Sequence, residues 1–164
     1  MDLDRALLWL QSTAIAQTIS ENEMLFPWIE SIHVLAIVLV VGTIAIVDLR
    51  LIGVASLDRA VDRLMREILP FTWGAFLVAA LTGSLMFSSN ARTYAHNFFF
   101  QGKMILLALA GLNMGLFHVA GAGHMQRWGA TRQTPAAAKA AGAASLAIWI
   151  AVVSFGRWIG FTVH

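Results

Sequence analysis

The 164 residues are 59% hydrophobic and 12% charged with a formal net charge of +2, and the mean hydropathy is +0.73. A soluble domain carries roughly 25% charged residues, so the composition excludes a water-solvated domain and places residues 1–164 in a bilayer as one small transmembrane domain. The small net charge leaves no nucleic-acid footprint, and the lack of cysteine excludes disulfides, thiolate metal sites, iron–sulfur clusters on cysteine and a covalent c-type haem.

Residues 1–23 begin with Asp2 and Asp4 where a signal peptide would have basic residues. Asp4, Gln11 and Thr18 fall apart from Leu3, Leu7, Leu10 and Ile19 around a helix, which predicts an amphipathic helix along the membrane surface. The first span is expected over about 27–55, with Pro27 in the opening turn, His33 near its start, and Asp48 and Arg50 near its end. Leu57, Val61, Leu64 and Ile68 then form a stripe opposite a charged face, which predicts a short cytoplasmic helix stopped by Pro70. The second span, about 71–88, carries Thr72, Ala75, Ala79, Thr82 and Gly83 as a small-residue face and Met86 near its end.

The third span, about 103–123, is a nearly unbroken apolar run of the length a bilayer requires, interrupted by Asn113 and His118. Gly111, Gly115, His118 and Ala122 share one helical face. That face is a bare floor beside an imidazole, suited either to a closely packed helix or to a flat ligand. Thr134 and Pro135 read as the N-cap and first residue of a fourth span that starts near 136 or 143 and ends near 163. Gly142, Ser145, Trp149, Val152, Gly156 and Gly160 track one face of it, with Arg157 in its last two turns. The expected fold is all-α: an integral membrane four-helix bundle with an N-terminal amphipathic surface helix and a short cytoplasmic helix between spans one and two.

Arg50, Arg59, Arg63, Arg66, Arg127, Arg132 and Lys139 lie on one side of this arrangement, and Arg5, Arg92, Lys103 and Arg157 on the other. The excess of basic residues marks the first side as cytoplasmic, so both termini are expected on the periplasmic side of a bacterial inner membrane. Aromatic residues fit two interfacial belts, with Phe26, Trp28, Tyr94, Phe98, Phe99, Phe100, Trp158 and Phe161 outside and Phe71, Trp73 and Trp128 inside.

Depth decides which groups can cooperate. At 1.5 Å per residue, His33 lies roughly 8 Å below the outer interface and His118 roughly 22 Å below it. One ion is therefore not expected to bind both. The sequence instead offers an outer neighbourhood of His33, Met86, His96, Met104 and Arg157, and an inner one of His118 and His124 with Asp48 and Arg50 opposite. Haem suits such sites: its iron takes a neutral imidazole, its macrocycle needs small residues beside it, and its propionates seek arginine. The plainer alternatives are histidines bonded to a neighbouring helix, glycines that pack helices, Asn113 as interhelical glue, Arg157 snorkelling to phosphate and methionines that pack.

ESIHVLAIVLVVGTIAIVDLRLIG and FQGKMILLALAGLNMGLFH resemble a family of small bacterial four-helix membrane proteins. The same segments are similar to the membrane domain of copper-resistance protein D and, distantly, to di-haem cytochrome b bundles. The resemblance singles out His33 and His118, with Lys103 opening the third helix. The leading expectation is a b-type haem-binding protein in electron transfer, alone or as a complex subunit, rather than a stand-alone enzyme. His33 and His118 are its candidate iron ligands, and Arg157, Gly111, Gly115 and Met86 complete the candidate cofactor-binding set. A redox partner or quinone, the lipid bilayer and a second copy of the chain are the candidate partners. The alternatives are a copper-handling or transport protein using His33, Met86, His96 and Met104, and a non-catalytic scaffold assembling through glycine-rich faces.

Overall fold

The computed structural model describes residues 3–121 and 134–163. The described residues are helical almost throughout, and four of the helices are long and apolar enough to cross a membrane. The chain is a multi-pass membrane protein, and large apolar side chains such as Leu35, Val38, Leu77, Ile105, Leu116 and Ile150 point outward from the bundle.

The expected surface helix is two helices, α1 (Leu3–Gln11) and α2 (Ala14–Glu21). The break falls where Ser12 and Thr13 turn their hydroxyls onto the carbonyls of Trp9 and Leu10 and Thr13 caps α2 by accepting from the Ala16 amide. The first span, α3 (Leu25–Ile52), starts after the Asn22 side chain accepts from the amides of Met24 and Leu25. It stops three residues short of the expected end because Gly53 takes φ +93° and returns its amide to the Leu49 carbonyl, the left-handed stop that glycine permits.

The second span, α4 (Val61–Ser89), corrects the separate helix expected before Pro70: the amphipathic stripe is the first turns of one continuous helix, with Pro70 inside it. Arg63 pairs with Glu67 at 2.9 Å and Arg66 with Asp62 at 2.8 Å along those turns. Past the proline, Thr72 Oγ1 lies 3.2 Å from the Ile68 carbonyl and 2.9 Å from Thr43 Oγ1 of α3. The second of these bonds ties α4 to α3 just beyond the proline. The short α5 (Ala91–His96) leads into α6 (Phe98–Gly121), which begins five residues before the expected third span. The fourth span, α7 (Ala136–Thr162), has Pro135 at its N-cap rather than in its first turn.

The spans pack as an arc in the order α4, α3, α7, α6. Each joint uses a glycine. At the α3–α7 crossing, a Cβ on Gly142 would stand 3.0 Å from Leu51 Cβ and 3.1 Å from the Asp48 carbonyl oxygen. The ring of Phe155 fills the place a Cβ would take on Gly102, closing α7 on α6, and a Cβ on Gly83 would meet the His33 ring at 2.9 Å. Arg50 is 1% exposed and donates from Nε to the Arg59 carbonyl at 2.8 Å, tying the end of α3 to the connection that follows it. The helices at the ends of the arc, α4 and α6, meet through Phe87 and Phe100, stacked with centroids 5.2 Å apart. Tyr94 joins that cluster. At the same end α1 and α2 seal the bundle with buried Leu7, Ala16 and Ile19 and a Gln11–Asn90 hydrogen bond of 3.3 Å.

Two outcomes follow from this packing. Gly142→Leu overpacks the α3–α7 crossing and lowers stability by about 1–3 kcal/mol, whereas Gly160→Leu, with nothing within 4 Å of its Cβ position, leaves the thermal midpoint near wild type. Burial, and secondarily the Glu30 carboxylate, pushes the Tyr94 phenol above its usual range. The folded state therefore holds this proton more tightly than the unfolded state. The resulting stability is fully present below about pH 10 and lost as pH rises through the elevated folded value. Tyr94 is the chain's one tyrosine, so an ultraviolet titration of tyrosinate reads it directly: a midpoint above that of the denatured chain is expected.

Candidate functional site

A cavity of about 210 Å³ lies among the four spans, in the half of the bundle that carries the α3–α4 connection. It follows from the arc: α3 and α7 form its back, while α4 and α6 flank it without closing against each other at this level. Its wall is largely apolar. Val40 and Ile44 come from α3, Trp73 and Phe76 from α4, Leu107 and Phe117 from α6, and Trp149 from α7. Gly111 belongs to the wall and has nothing within 4 Å of its Cβ position, so the wall is bare backbone at that point.

The polar groups of the cavity are few. Asn113 also reaches α7, donating from Nδ2 to the Ala141 carbonyl at 3.1 Å. Asp48 is 4% exposed and is hydrogen-bonded by the Ser145 side chain. Its Oδ2 is buried without a hydrogen-bond partner, alone in that state among the described residues. The His118 Nδ1 lies 2.9 Å from the Met114 carbonyl one turn back. A carbonyl only accepts, so Nδ1 carries the hydrogen, and in the neutral ring Nε2 keeps its lone pair. An imidazole anchored this way is in the state that metal-ligating histidines adopt.

The structure thus brings together Asp48 and His118 of the inner neighbourhood; His124 lies outside the described residues. The outer neighbourhood is not assembled. His33 is half-buried, with Nδ1 2.9 Å from Thr82 Oγ1 and a further bond to the Ala79 backbone, so its ring is engaged in holding α3 to α4. Met86 is half-buried outside the cavity lining, and Met104 is exposed. His96 bonds the Arg92 carbonyl at 2.9 Å and lies 3.7 Å from Asp4. Arg157 is exposed and lies over the Phe161 ring at 4.6 Å. Gly115 is exposed and lies outside the cavity lining. Among the described residues, no three of His, Cys, Asp and Glu gather to hold a metal ion.

Lys103 is the group that reading the sequence placed wrongly. It was expected at the mouth of the third span. Because α6 begins at Phe98, Lys103 lies more than a turn inside, half-buried, with Nζ 3.9 Å from the Cβ position of Gly156 on α7. Its ammonium is within electrostatic reach of the His33 ring. The run Phe98, Phe99, Phe100 just before it was the available signal, since three aromatic residues extend the apolar segment toward its true start.

Residues 12–162 match DUF6644, a family of unknown function, and the chain belongs to that family. No curated protein and no solved structure matches it.

The Asn113 contact is measurable on its own. Asn113→Leu removes the bond from α6 to the Ala141 carbonyl and lowers stability by about 0.6 kcal/mol, the average for interhelical hydrogen bonds in membranes, and by no more than about 1.7 kcal/mol, read as a fall in the thermal midpoint in detergent.

Proposed function

We propose that this protein is a membrane-embedded binding protein whose cavity takes a flat, largely apolar cofactor, and that the cofactor is b-type haem carried for electron transfer. The observation that supports this reading is His118 at the cavity wall, with Nδ1 tied to the Met114 carbonyl and Nε2 left with its lone pair. Trp73, Phe76 and Trp149 offer faces for a ring to lie against, and Gly111 offers a floor without a side chain. The cavity's 210 Å³ is below the ~300–1,000 Å³ of ligand pockets in general, so haem binding requires the macrocycle to extend beyond the cavity, between α4 and α6. Within this proposal His118 holds the iron, and bound haem supplies one-electron chemistry. His33 keeps its role between α3 and α4. The basic-residue asymmetry of the connections supports a bacterial inner-membrane location with both termini periplasmic.

The test is the absorption spectrum of the full chain purified in mild detergent from haem-replete cells. A Soret band and α band that shift on dithionite reduction are expected, lost in His118→Ala and retained in His33→Ala. Haem-free protein with a native thermal midpoint overturns the haem assignment.

A second reading, self-association through α6, is favoured by Gly115, which lies exposed with nothing within 4 Å of its Cβ position. Gly115→Leu then dissociates an oligomer on size-exclusion chromatography while leaving the cavity untouched; an unchanged elution volume removes this reading.

A further inference from the structure

In a span, an ionisable side chain costs several kcal/mol unless something answers it. Asp48 is answered in part by Ser145. Lys103 is not. Among the described residues it has no hydrogen bond or ion pair, no carboxylate lies within electrostatic reach of it, and the charged or titratable group that does is another base, His33.

The backbone around these two bases is cut to admit them. The His33 ring occupies the space beside Gly83 that a Cβ would need, and the Lys103 ammonium sits over the bare backbone of Gly156. α3 and α6 thus place two nitrogen bases together in the interior, and α4 and α7 supply glycines opposite them. Arg157, the residue expected to meet an acid group, instead faces outward over Phe161. Leu107, which lines the cavity, follows Lys103 by one turn, about 6 Å along α6. An apolar well and an uncompensated cation are therefore neighbours along one helix.

We propose that Lys103 pairs with a carboxylate carried by the molecule whose apolar body fills the cavity. The proposal rests on the reading of the cavity as a binding site and names the chemistry of its occupant: an acid group on an apolar body. Two sources carry that chemistry, the propionates of haem and the head of a long-chain fatty acid. A desolvated ammonium with no internal partner favours the acid over a neutral ester of the same shape.

The experiment compares each acid with its own ester on the full chain in phosphatidylcholine nanodiscs. Protohaem and its dimethyl ester are followed by absorbance. Brominated stearate and its methyl ester are followed by saturable quenching of tryptophan fluorescence, to which Trp73 and Trp149 at the cavity wall contribute. At least tenfold tighter binding of one acid over its ester is expected in the wild type, and the acid that shows it identifies the source. Lys103→Gln and the length-matched Lys103→Met are expected to abolish this preference while ester binding stays within about threefold. The wild-type acid and ester comparison stands even if neither variant folds. Equal binding of acid and ester by the wild type overturns the proposal, as does a preference that survives in both variants. Gly111→Leu separates the two layers: loss of acid and ester binding together supports the cavity as the site, whereas unaltered binding of both overturns the cavity reading and, with it, the neighbourhood on which this proposal depends.

Discussion

The crossing of α3 and α7 at Gly142 is the contact on which the rest of the molecule depends. Backbone meets backbone there, with the Asp48 carbonyl and Leu51 in the space a side chain would take. Hydrocarbon gives helices no solvent-driven reason to associate, so close approach and interhelical hydrogen bonds have to do it. With α3 and α7 locked, α4 is carried on one flank through Thr43–Thr72 and His33–Thr82, and α6 on the other through Gly102–Phe155 and Asn113–Ala141. The flanks then meet at the aromatic cluster of Phe87 and Phe100. The cavity is the space that this order of attachment leaves over.

Polar groups in such a bundle divide by whether the packing uses them. Thr72, Thr82 and Asn113 each join two spans. Arg50, although almost wholly buried, serves the connection after α3 through the Arg59 carbonyl. Among the described residues, His118 bonds only within its own helix, Asp48 has one oxygen without a partner, and Lys103 has none of these contacts. Asp48 is held to α7 through Ser145, but the packing leaves Asp48 Oδ2, His118 Nε2 and the Lys103 ammonium unused, and all three sit in or beside the cavity. That coincidence supports a bound molecule more strongly than any one of them does.

Hydropathy alone made four spans legible, because sustained apolar runs admit few other readings, and the interhelical role of Asn113 followed from its type. What failed was information held by partners. Gly111 and Gly115 look like a packing face, yet their Cβ positions are open, while Gly83, Gly102 and Gly142, which carry the helix joints, fit against His33, Phe155 and Leu51 from other helices. The small-residue faces of spans two and four do contain Gly83 and Gly142, but periodicity does not separate them from the open Gly111 and Gly115, and it does not mark Gly102 at all. Pro70 suggested a boundary because its local rule is strong, and the surroundings of α4 overrode it. Arg157 and Lys103 exchanged roles for a similar reason: a shift of five residues in the start of α6 turned Lys103 inward, and an aromatic neighbour holds Arg157 outward.

The separation of α4 from α6 below their aromatic cluster has a consequence for any occupant of the cavity. A guest that entered between these two helices would come from acyl chains rather than from water, and so would dissolve in the membrane before it met the protein. Its effective concentration is then a mole fraction in lipid. Adding empty bilayer dilutes it even when the totals of protein and guest stay fixed. Occupancy becomes a property of the host membrane as much as of the fold.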